Sequence, residues 1–330
     1  MSHPQSKEEP SPLVADSTVN HSQNQDPTSL YPDTPTTLDT LSPVLTKDVP
    51  LNPNNNTFIR LFLPHKAVQS SSNSQKLPLI VYYHGGGFVY LRASSSVNHD
   101  FCFNLAKDLS AVVASVDYRL APAARLPAAY DDGVEALKWL STTDEKWVRE
   151  YGDVSKSYVM GTSAGGNLAY HVGLRVSTTA VDEFGDLKIR GLILHHPFFG
   201  GTQRTESELR LGHDEEVLRH GLSLSLCDMM WELALPEGVD RDHKYSNPTV
   251  ADEGDEKGFD QIKRLGLKIL VTGCYGDLLI SRIAGFVEML KSRDVDVEDY
   301  FGEGYHGLEL LDPSKVEPLF TRVKNLIYKC

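Results

Sequence analysis

The stretch YVMGTSAGGN, residues 158–167, decides the fold of this chain. Residues 158–160 form a short apolar run typical of a buried strand, and the segment from Leu168 onward is compatible with a helix. Between them, the glycines of GTSAG, residues 161–165, permit a turn tight enough to expose the serine oxygen. The same pattern occurs in ordinary glycine-rich turns, but the strand before it and the helix after it favour Ser163 as a nucleophile.

Short apolar runs recur on both sides of this turn. They predict strands at 58–63, 79–83, 111–118, 158–160, 192–194, 267–271 and 297–301. Amphipathic segments between them predict helices at 132–140, from 168 onward, at 284–290 and at 318–328. Strands and helices that alternate at this spacing predict an α/β fold with a mostly parallel central sheet and helices on both faces.

Two segments depart from this alternation. Residues 1–44 are rich in Ser, Pro, Thr, Asn, Gln and Asp, so we expect a mobile N-terminal arm whose later part lies along the surface. Residues 45–330 form the main domain, and within it the stretch from about 200 to 266 is too long for a simple crossover. Because it contains an apolar segment at 222–235, we expect it to build a small cap over the sheet, together with the arm.

A second glycine-rich stretch, HGGG at residues 84–87, directly follows the predicted strand at 79–83. Consecutive glycines allow backbone N–H groups to approach a developing oxyanion without obstruction from side chains. A phosphate-binding loop also uses glycines, but its Lys and Ser/Thr are absent here. We expect His84 to anchor this loop through a hydrogen bond rather than to transfer protons.

An activated serine needs a base and an orienting carboxylate, which follow such a turn in the order serine, acid, histidine. Asp277 comes just after the predicted strand at 267–271, and His306 lies on a glycine-flanked loop after the last predicted strand. Either residue alone has a structural alternative, but the order of all three predicts a catalytic triad. His195 and His196 end another strand; they are candidates for the wall of a substrate pocket, and packing is the commoner alternative.

The composition argues against several classes of partner. The chain has 32 basic and 45 acidic residues, a net charge of −13, which disfavours nucleic acid and anionic membrane surfaces. It shows no apolar run of membrane-spanning length and no secretory signal, so we expect a cytosolic protein. The four cysteines are widely spaced, and no pattern for zinc or a dinucleotide is present. We therefore expect no metal ion and no organic cofactor.

Taken together, these motifs resemble the plant carboxylesterase family, within the hormone-sensitive-lipase-like group of α/β-hydrolases. The matching stretches are HGGGF at 84–88, SVDYRLAP at 115–122, LPAAYDD at 126–132, GTSAG at 161–165, HPFFGG at 196–201, RDH at 241–243 and NP at 247–248. The resemblance runs from about residue 44 to the C-terminus and implies an α/β-hydrolase fold.

The resemblance also implies a function. It assigns Ser163 as nucleophile, Asp277 as acid and His306 as base of a serine carboxylesterase that acts on small or medium esters through an acyl-enzyme. It places the donors of an oxyanion hole on the backbone amides of Gly85, Gly86 and Ala164. A lyase or acyltransferase of plant specialised metabolism with the same triad is an alternative, and so is a non-catalytic small-molecule receptor. The natural ester and the oligomeric state stay open.

The chain departs from the family pattern at three places. Ala123-Ala124 stands where the family usually has Glu-His, and Ser281 stands where it usually repeats an aspartate four residues after the catalytic one. Residues 1–44 offer no convincing match to the apolar cap helix of the family's N-terminal arm. The first two departures concern the support of the site, and the third concerns how its pocket is closed.

Overall fold

An eight-stranded sheet forms the centre of the molecule in the computed structural model, which describes residues 27–69, 75–179, 181–215, 217, 222–250 and 252–329. Its strands are β1 (Val44–Asn52), β2 (Thr57–Pro64), β3 (Leu77–Tyr83), β4 (Val112–Asp117), β5 (Gly152–Thr162), β6 (Ile189–His195), β7 (Lys268–Cys274) and β8 (Val297–Gly302). Each predicted strand is present, and β1 was not predicted. Its outer half alternates between half-buried and exposed residues, so it lacks the continuous apolar run of a buried strand.

The strand order is β1-β2-β4-β3-β5-β6-β7-β8. Strand β2 runs antiparallel to both β1 and β4, and all the other neighbouring pairs are parallel. The mostly parallel sheet predicted from the sequence is therefore confirmed. Because parallel strands end at the same edge, the residues that follow β3, β5, β6, β7 and β8 meet there.

Helices cover both faces of this sheet. Those in the described residues are α1 (Pro27–Leu30), α2 (His65–Gln69), α3 (Ser96–Leu109), α4 (Ala128–Thr142), α5 (Ala164–Thr178), α6 (Glu206–Leu211), α7 (Leu224–Ala234), α8 (Glu253–Leu265), α9 (Ile280–Lys291), α10 (Leu308–Leu311) and α11 (Glu317–Tyr328). None of them is both long enough and apolar enough to cross a membrane.

The side chains of β3 show how the sheet joins two hydrophobic cores. Leu79 and Val81 belong to the core beneath α4, α5, α8 and α9, whereas Ile80 and Tyr82 belong to the core beneath α3 and α11. Side chains of a strand alternate between the two faces, so a strand that is apolar throughout is buried on both.

The long connection between β6 and β7 contains α6, α7 and α8. Helix α7 lies over the carboxyl edge of the sheet, where the Met230 side chain packs against Gly87. Helix α8 instead packs along α5 through Phe259 and Ile262. The predicted cap boundaries of 200–266 and the mobility of residues 1–44 stay predictions, and residues 1–26 of that arm lie outside the described residues.

A buried ion pair attaches this connection to the main body. The Arg282 guanidinium, on α9, donates to Glu208 Oε1 at 2.7 Å and to the Gly200 carbonyl at 2.9 Å. Both charged side chains are less than 10% exposed. Beside them, the Ser281 hydroxyl accepts a hydrogen bond from the Ser207 backbone. The residue that departs from the family pattern at 281 thus anchors α6 to α9.

We expect Arg282→Met to lower the free energy of unfolding by about 3–5 kcal/mol, because it leaves the Glu208 carboxylate buried without its counter-ion. Urea unfolding followed by circular dichroism measures the change. Arg210→Met is the matched control, since Arg210 pairs with Glu206 on the surface of α6, and such exposed pairs contribute well under 1 kcal/mol. Equal losses in the two variants would contradict the proposed anchoring.

Candidate active site

Ser163 occupies the turn between β5 and α5 in a strained backbone conformation. Its φ is 55° and its ψ is −119°, a combination that residues with a side chain rarely adopt and that persists only where the surroundings enforce it. Its N–H donates to the His195 carbonyl at 2.9 Å, and its own carbonyl accepts from the backbone of Phe198 at 2.9 Å. Strand β6 and the loop after it therefore hold the turn in place.

Gly165 allows α5 to approach the end of β3. A Cβ atom at this position would overlap with the carbonyl oxygen of Tyr83. Because backbone atoms cannot move away as a flexible side chain can, only glycine fits here. The second glycine of the GTSAG stretch is thus required for packing, and the first turn of α5 lies directly against the loop that follows β3.

The structure brings the three predicted triad residues together. His306 Nε2 lies 2.9 Å from Ser163 Oγ, and His306 Nδ1 lies 2.7 Å from Asp277 Oδ2. Asp277 follows β7 and is fully buried, and its Oδ1 accepts a hydrogen bond from the backbone N–H of Leu279 at 2.9 Å. An ionised carboxylate only accepts hydrogen bonds, so His306 carries a proton on Nδ1 and presents Nε2 to the serine hydroxyl.

The surroundings of Asp277 keep its carboxyl group ionised. Burial by itself raises its pKa, but the contacts with the His306 and His196 imidazoles, which donate hydrogen bonds to the carboxylate, outweigh burial and hold the pKa well below the usual range. Asp277 is therefore an anion in the buried site, able to orient His306 and to stabilise its protonated form.

The HGGG loop lies beside Ser163. Gly85 and Gly86 line the same cavity as Ser163, and in the described ranges their N–H groups donate to no carbonyl of the chain. Gly86 has a φ of 111°, which favours glycine. The N–H of Ala164 belongs to the first residue of α5, where no preceding turn of helix supplies an acceptor.

His84 supports this loop from behind. Its Nδ1 lies 2.7 Å from the Gly85 carbonyl, its ring stacks on Tyr118 at a centroid distance of 4.2 Å, and it is fully buried. The Tyr118 hydroxyl also donates to the His84 carbonyl at 2.7 Å. Burial lowers the pKa of His84, so its imidazole is neutral. These contacts agree with the expected anchoring role.

The structure also places His196 and Glu309 next to the predicted triad, which the sequence did not lead us to expect. His196 Nδ1 lies 2.9 Å from Asp277 Oδ2, and His196 Nε2 lies 3.3 Å from Glu309 Oε2. Neither His196 nor its neighbour His195 lines the cavity beside Ser163, so the structure does not place either of them in the wall of that pocket. The sequence features that could have indicated these contacts were the pair of histidines at the end of β6 and a glutamate three residues after His306.

Two groups of side chains in the described part of the chain have atoms close enough together to suit a metal ion. They are His195, His196 and Glu309, and His196, Asp277 and His306. The imidazole–carboxylate separations within them, from 2.7 Å to 3.4 Å, are those of direct hydrogen bonds and ion pairs. We therefore describe both groups as one cluster of hydrogen bonds and ion pairs, and the expectation of no metal stays a prediction.

A cavity of about 170 Å³ opens onto Ser163 and His306. Its walls are mostly apolar and include Leu226 and Met230 of the α7 helix, Leu310 of α10 and Tyr31 from the segment that precedes β1. Among the residues described, none of those that line it is Lys, Arg, Asp or Glu. The site thus combines a nucleophile with an uncharged, largely apolar pocket.

The Ala123-Ala124 departure lies outside this cavity. Ala123 is exposed, and the Ala124 N–H donates to the Leu120 carbonyl at 3.0 Å. The neighbouring Arg125 donates to the carbonyls of Glu232 and Leu235 at the end of α7. This loop thus supports the end of α7, and neither alanine lines the cavity.

Comparisons with known proteins agree with this geometry. The family model of the α/β-hydrolase fold matches residues 80–308, which include the HGGG loop, the GTSAG turn and all three residues of the predicted triad. A solved esterase structure from Pyrobaculum calidifontis superposes with a TM-score of 0.66 at 26% identity, over 86% of this chain and 84% of its own.

Curated relatives narrow the class. Carboxylesterase 20 of Arabidopsis thaliana is 50% identical over 290 residues, which is 87% of this chain and 86% of that protein. A 3-O-acetylpapaveroxine carboxylesterase of Papaver somniferum is 46% identical, over 86% of this chain and 90% of that protein. The chain therefore belongs to the carboxylesterase family of plant α/β-hydrolases. The predicted fold, family and enzyme class are confirmed.

We expect Gly165→Ala to destabilise the protein by several kcal/mol, because the added methyl group overlaps with the Tyr83 backbone. Thermal unfolding followed by circular dichroism measures the change. Gly285→Ala is the control, since a Cβ at this position of α9 meets open space; alanine favours a helix over glycine, so stability there rises by about 0.5–1 kcal/mol. Unchanged stability in Gly165→Ala would contradict the described close approach.

Proposed function

We propose that this chain hydrolyses small, uncharged carboxylic esters through an acyl-enzyme formed on Ser163. The observation that carries the proposal is the continuous hydrogen-bonded series from Ser163 Oγ through His306 to Asp277, at 2.9 Å and 2.7 Å. These separations lie within the reach that a nucleophile, its base and an orienting carboxylate require. The names of the curated relatives support the same class of reaction.

In this mechanism His306 accepts the Ser163 proton on Nε2 as Oγ attacks the ester carbonyl carbon. The tetrahedral intermediate collapses to the acyl-enzyme, and the His306 imidazolium donates its proton to the departing alkoxide. Water then attacks the acyl carbon with the same assistance and releases the acid. Asp277 holds the tautomer of His306 and stabilises the imidazolium at both stages.

The oxyanion of each tetrahedral intermediate is stabilised by the amides of Gly85, Gly86 and Ala164. The glycine loop and the first turn of α5 present these N–H groups near Ser163, and the positive end of the α5 helix favours negative charge at the same place. Each preorganised donor contributes on the order of 3 kcal/mol to stabilisation of the transition state, by comparison with other oxyanion holes.

The pocket supports a preference for neutral substrates. A charged acyl or alcohol group would enter the apolar cavity without a counter-ion, which costs several kcal/mol. Tyr31 and α7 line this cavity, and we assign them the role of the cap. The steps use only groups of this chain and water. The expectations of a cytosolic location and of no cofactor, nucleic-acid or membrane partner stay predictions.

We expect the wild-type protein to hydrolyse p-nitrophenyl butyrate and Ser163→Ala to lose kcat by about 10⁴-fold or more. Release of p-nitrophenolate measures turnover, and a fluorophosphonate followed by peptide mass spectrometry identifies the modified residue. Ser177→Ala is the matched control, because Ser177 is buried on the same helix, α5, and its hydroxyl donates to the backbone carbonyls of Leu174 and Gly258.

The turnover and labelling measurements distinguish an esterase from an acyltransferase and from a non-catalytic receptor. Full activity in Ser163→Ala would contradict the assignment of the nucleophile, and modification of another serine would do the same. An acyl adduct on Ser163 that water does not release would instead indicate an acyltransferase. No turnover together with no adduct in the wild-type protein would contradict an esterase and point to the receptor alternative.

Met230 limits the length of the acyl or alcohol chain that the pocket accepts. We expect Met230→Ala to raise kcat/KM for p-nitrophenyl octanoate relative to the butyrate by about tenfold, because the space released accommodates extra methylene groups. Met229→Ala is the control, since Met229 is the preceding residue of α7 and does not line the cavity. An unchanged ratio of the two substrates in Met230→Ala would contradict this role.

A further inference from the structure

Asp277 lies between two imidazole rings. His306 Nδ1 and His196 Nδ1 contact the same carboxylate oxygen, Oδ2, at 2.7 Å and 2.9 Å. The two rings are nearly perpendicular, with their centroids 5.3 Å apart. An ionised carboxylate only accepts hydrogen bonds, so both Nδ1 atoms carry hydrogen.

The far side of His196 meets a second carboxylate. Its Nε2 lies 3.3 Å from Glu309 Oε2 and 3.7 Å from Cys274 Sγ. His195 Nε2 lies 3.4 Å from the same Glu309 oxygen, while His195 Nδ1 contacts the Thr272 hydroxyl at 2.7 Å. The titratable groups that face His196 are thus Asp277, Glu309, His195, His306 and Cys274.

Because this cluster is buried, a charge in it that lacks a counter-ion is energetically costly. His195, His196 and Asp277 have no exposed surface, and the Glu309 side chain is 11% exposed. Two buried carboxylates require a cation between them, since an uncompensated buried charge costs several kcal/mol. His306 cannot supply that charge in the resting site, where it must be neutral to accept the serine proton.

The directions in which the pKa values of His195, His196 and Glu309 are shifted agree with this geometry. Burial lowers the pKa of His196, but hydrogen bonds with Asp277, Cys274 and Glu309 outweigh it and raise the pKa well above its usual value. The pKa of Glu309 is lowered, because contacts with His195 and His196 outweigh its burial. Burial lowers the pKa of His195. His196 is therefore the protonated member of the cluster.

We propose, building on the proposed function of Ser163, that His196 is a positioning residue that stays positively charged between Asp277 and Glu309 throughout the reaction. It fixes the Asp277 carboxylate from the side opposite His306. Its positive charge also disfavours a second positive charge on His306, whose ring centroid lies 5.3 Å away. Glu309 holds the other nitrogen of His196.

The charge of His196 is tested directly in the resting wild-type protein. Nuclear magnetic resonance of protein labelled with ¹⁵N in its histidine side chains distinguishes protonated from unprotonated ring nitrogens, and the spectrum of His196→Asn identifies the signals of His196. We expect both nitrogens of His196 to be protonated at pH 7. One unprotonated nitrogen at pH 7 would overturn the proposal.

The positioning role is tested by the pH dependence of kcat/KM for p-nitrophenyl butyrate. The acidic limb reports the ionisation of the base in the free enzyme. Asn suits the positive φ of 45° at this position, and its amide can donate to Asp277 without carrying charge. We expect His196→Asn to move the acidic limb to higher pH by roughly one unit or more, because a positive charge near His306 is removed.

His171→Asn is the matched control. His171 is a buried histidine on α5 that packs against Tyr130, Tyr170 and Tyr245, so its removal reproduces the general cost of losing a buried imidazole. We expect its acidic limb to stay at the wild-type pH. An unmoved limb in His196→Asn, or equal shifts in both variants, would overturn the positioning role.

Failure of this inference can be told apart from failure of the proposed function. If the wild-type protein does not hydrolyse esters, the esterase proposal fails, whereas the resonance measurement still decides whether His196 carries a charge. If the wild-type protein is active and the limb does not move, only the role of His196 fails. Thermal unfolding of His196→Asn confirms that the variant is folded under the assay conditions.

Discussion

The strained turn at Ser163 is the constraint on which the rest of the site depends. A positive φ at a residue with a side chain costs of order 1–3 kcal/mol and persists only where neighbours enforce it. Here β6 binds the N–H of Ser163, the loop after β6 binds its carbonyl, and Gly165 lets α5 pack directly against the end of β3. The turn that follows β5 is thus held by β6, by the end of β3 and by helix α5.

The parallel register of the sheet then determines where the other groups lie. Thr162 pairs with His195, His195 pairs with Thr272, and Cys274 pairs with Gly302, so β5 to β8 end at nearly the same level. Asp277 follows β7 by three residues and His306 follows β8 by four. Such short connections leave little freedom, which is why residues more than a hundred positions apart meet within 3 Å.

The sequence was sufficient to predict this edge because its signals are local. An apolar strand followed by GTSAG, HGGG or a glycine-flanked histidine indicates by itself that these residues lie where the strand ends. It was insufficient for β1, whose half-exposed pattern resembles a loop, and for α3, which was not predicted. It was also insufficient for His196 and Glu309, since their partners depend on how two connections at the carboxyl edge pack, and no short motif encodes that contact.

The two buried carboxylates, Asp277 and Glu309, explain why the surroundings of Asp277 contain more charged groups than a triad of three residues requires. During the proposed reaction, His306 alternates between neutral and protonated forms, so on its own it would leave Asp277 compensated only part of the time. With His196 held between Asp277 and Glu309, the carboxylate keeps a cationic partner at every stage, and its position does not depend on the state of His306. The strained turn keeps Ser163, the proposed nucleophile, in place, and the contacts of His196 with Asp277 and Glu309 do the same for Asp277, the proposed acid.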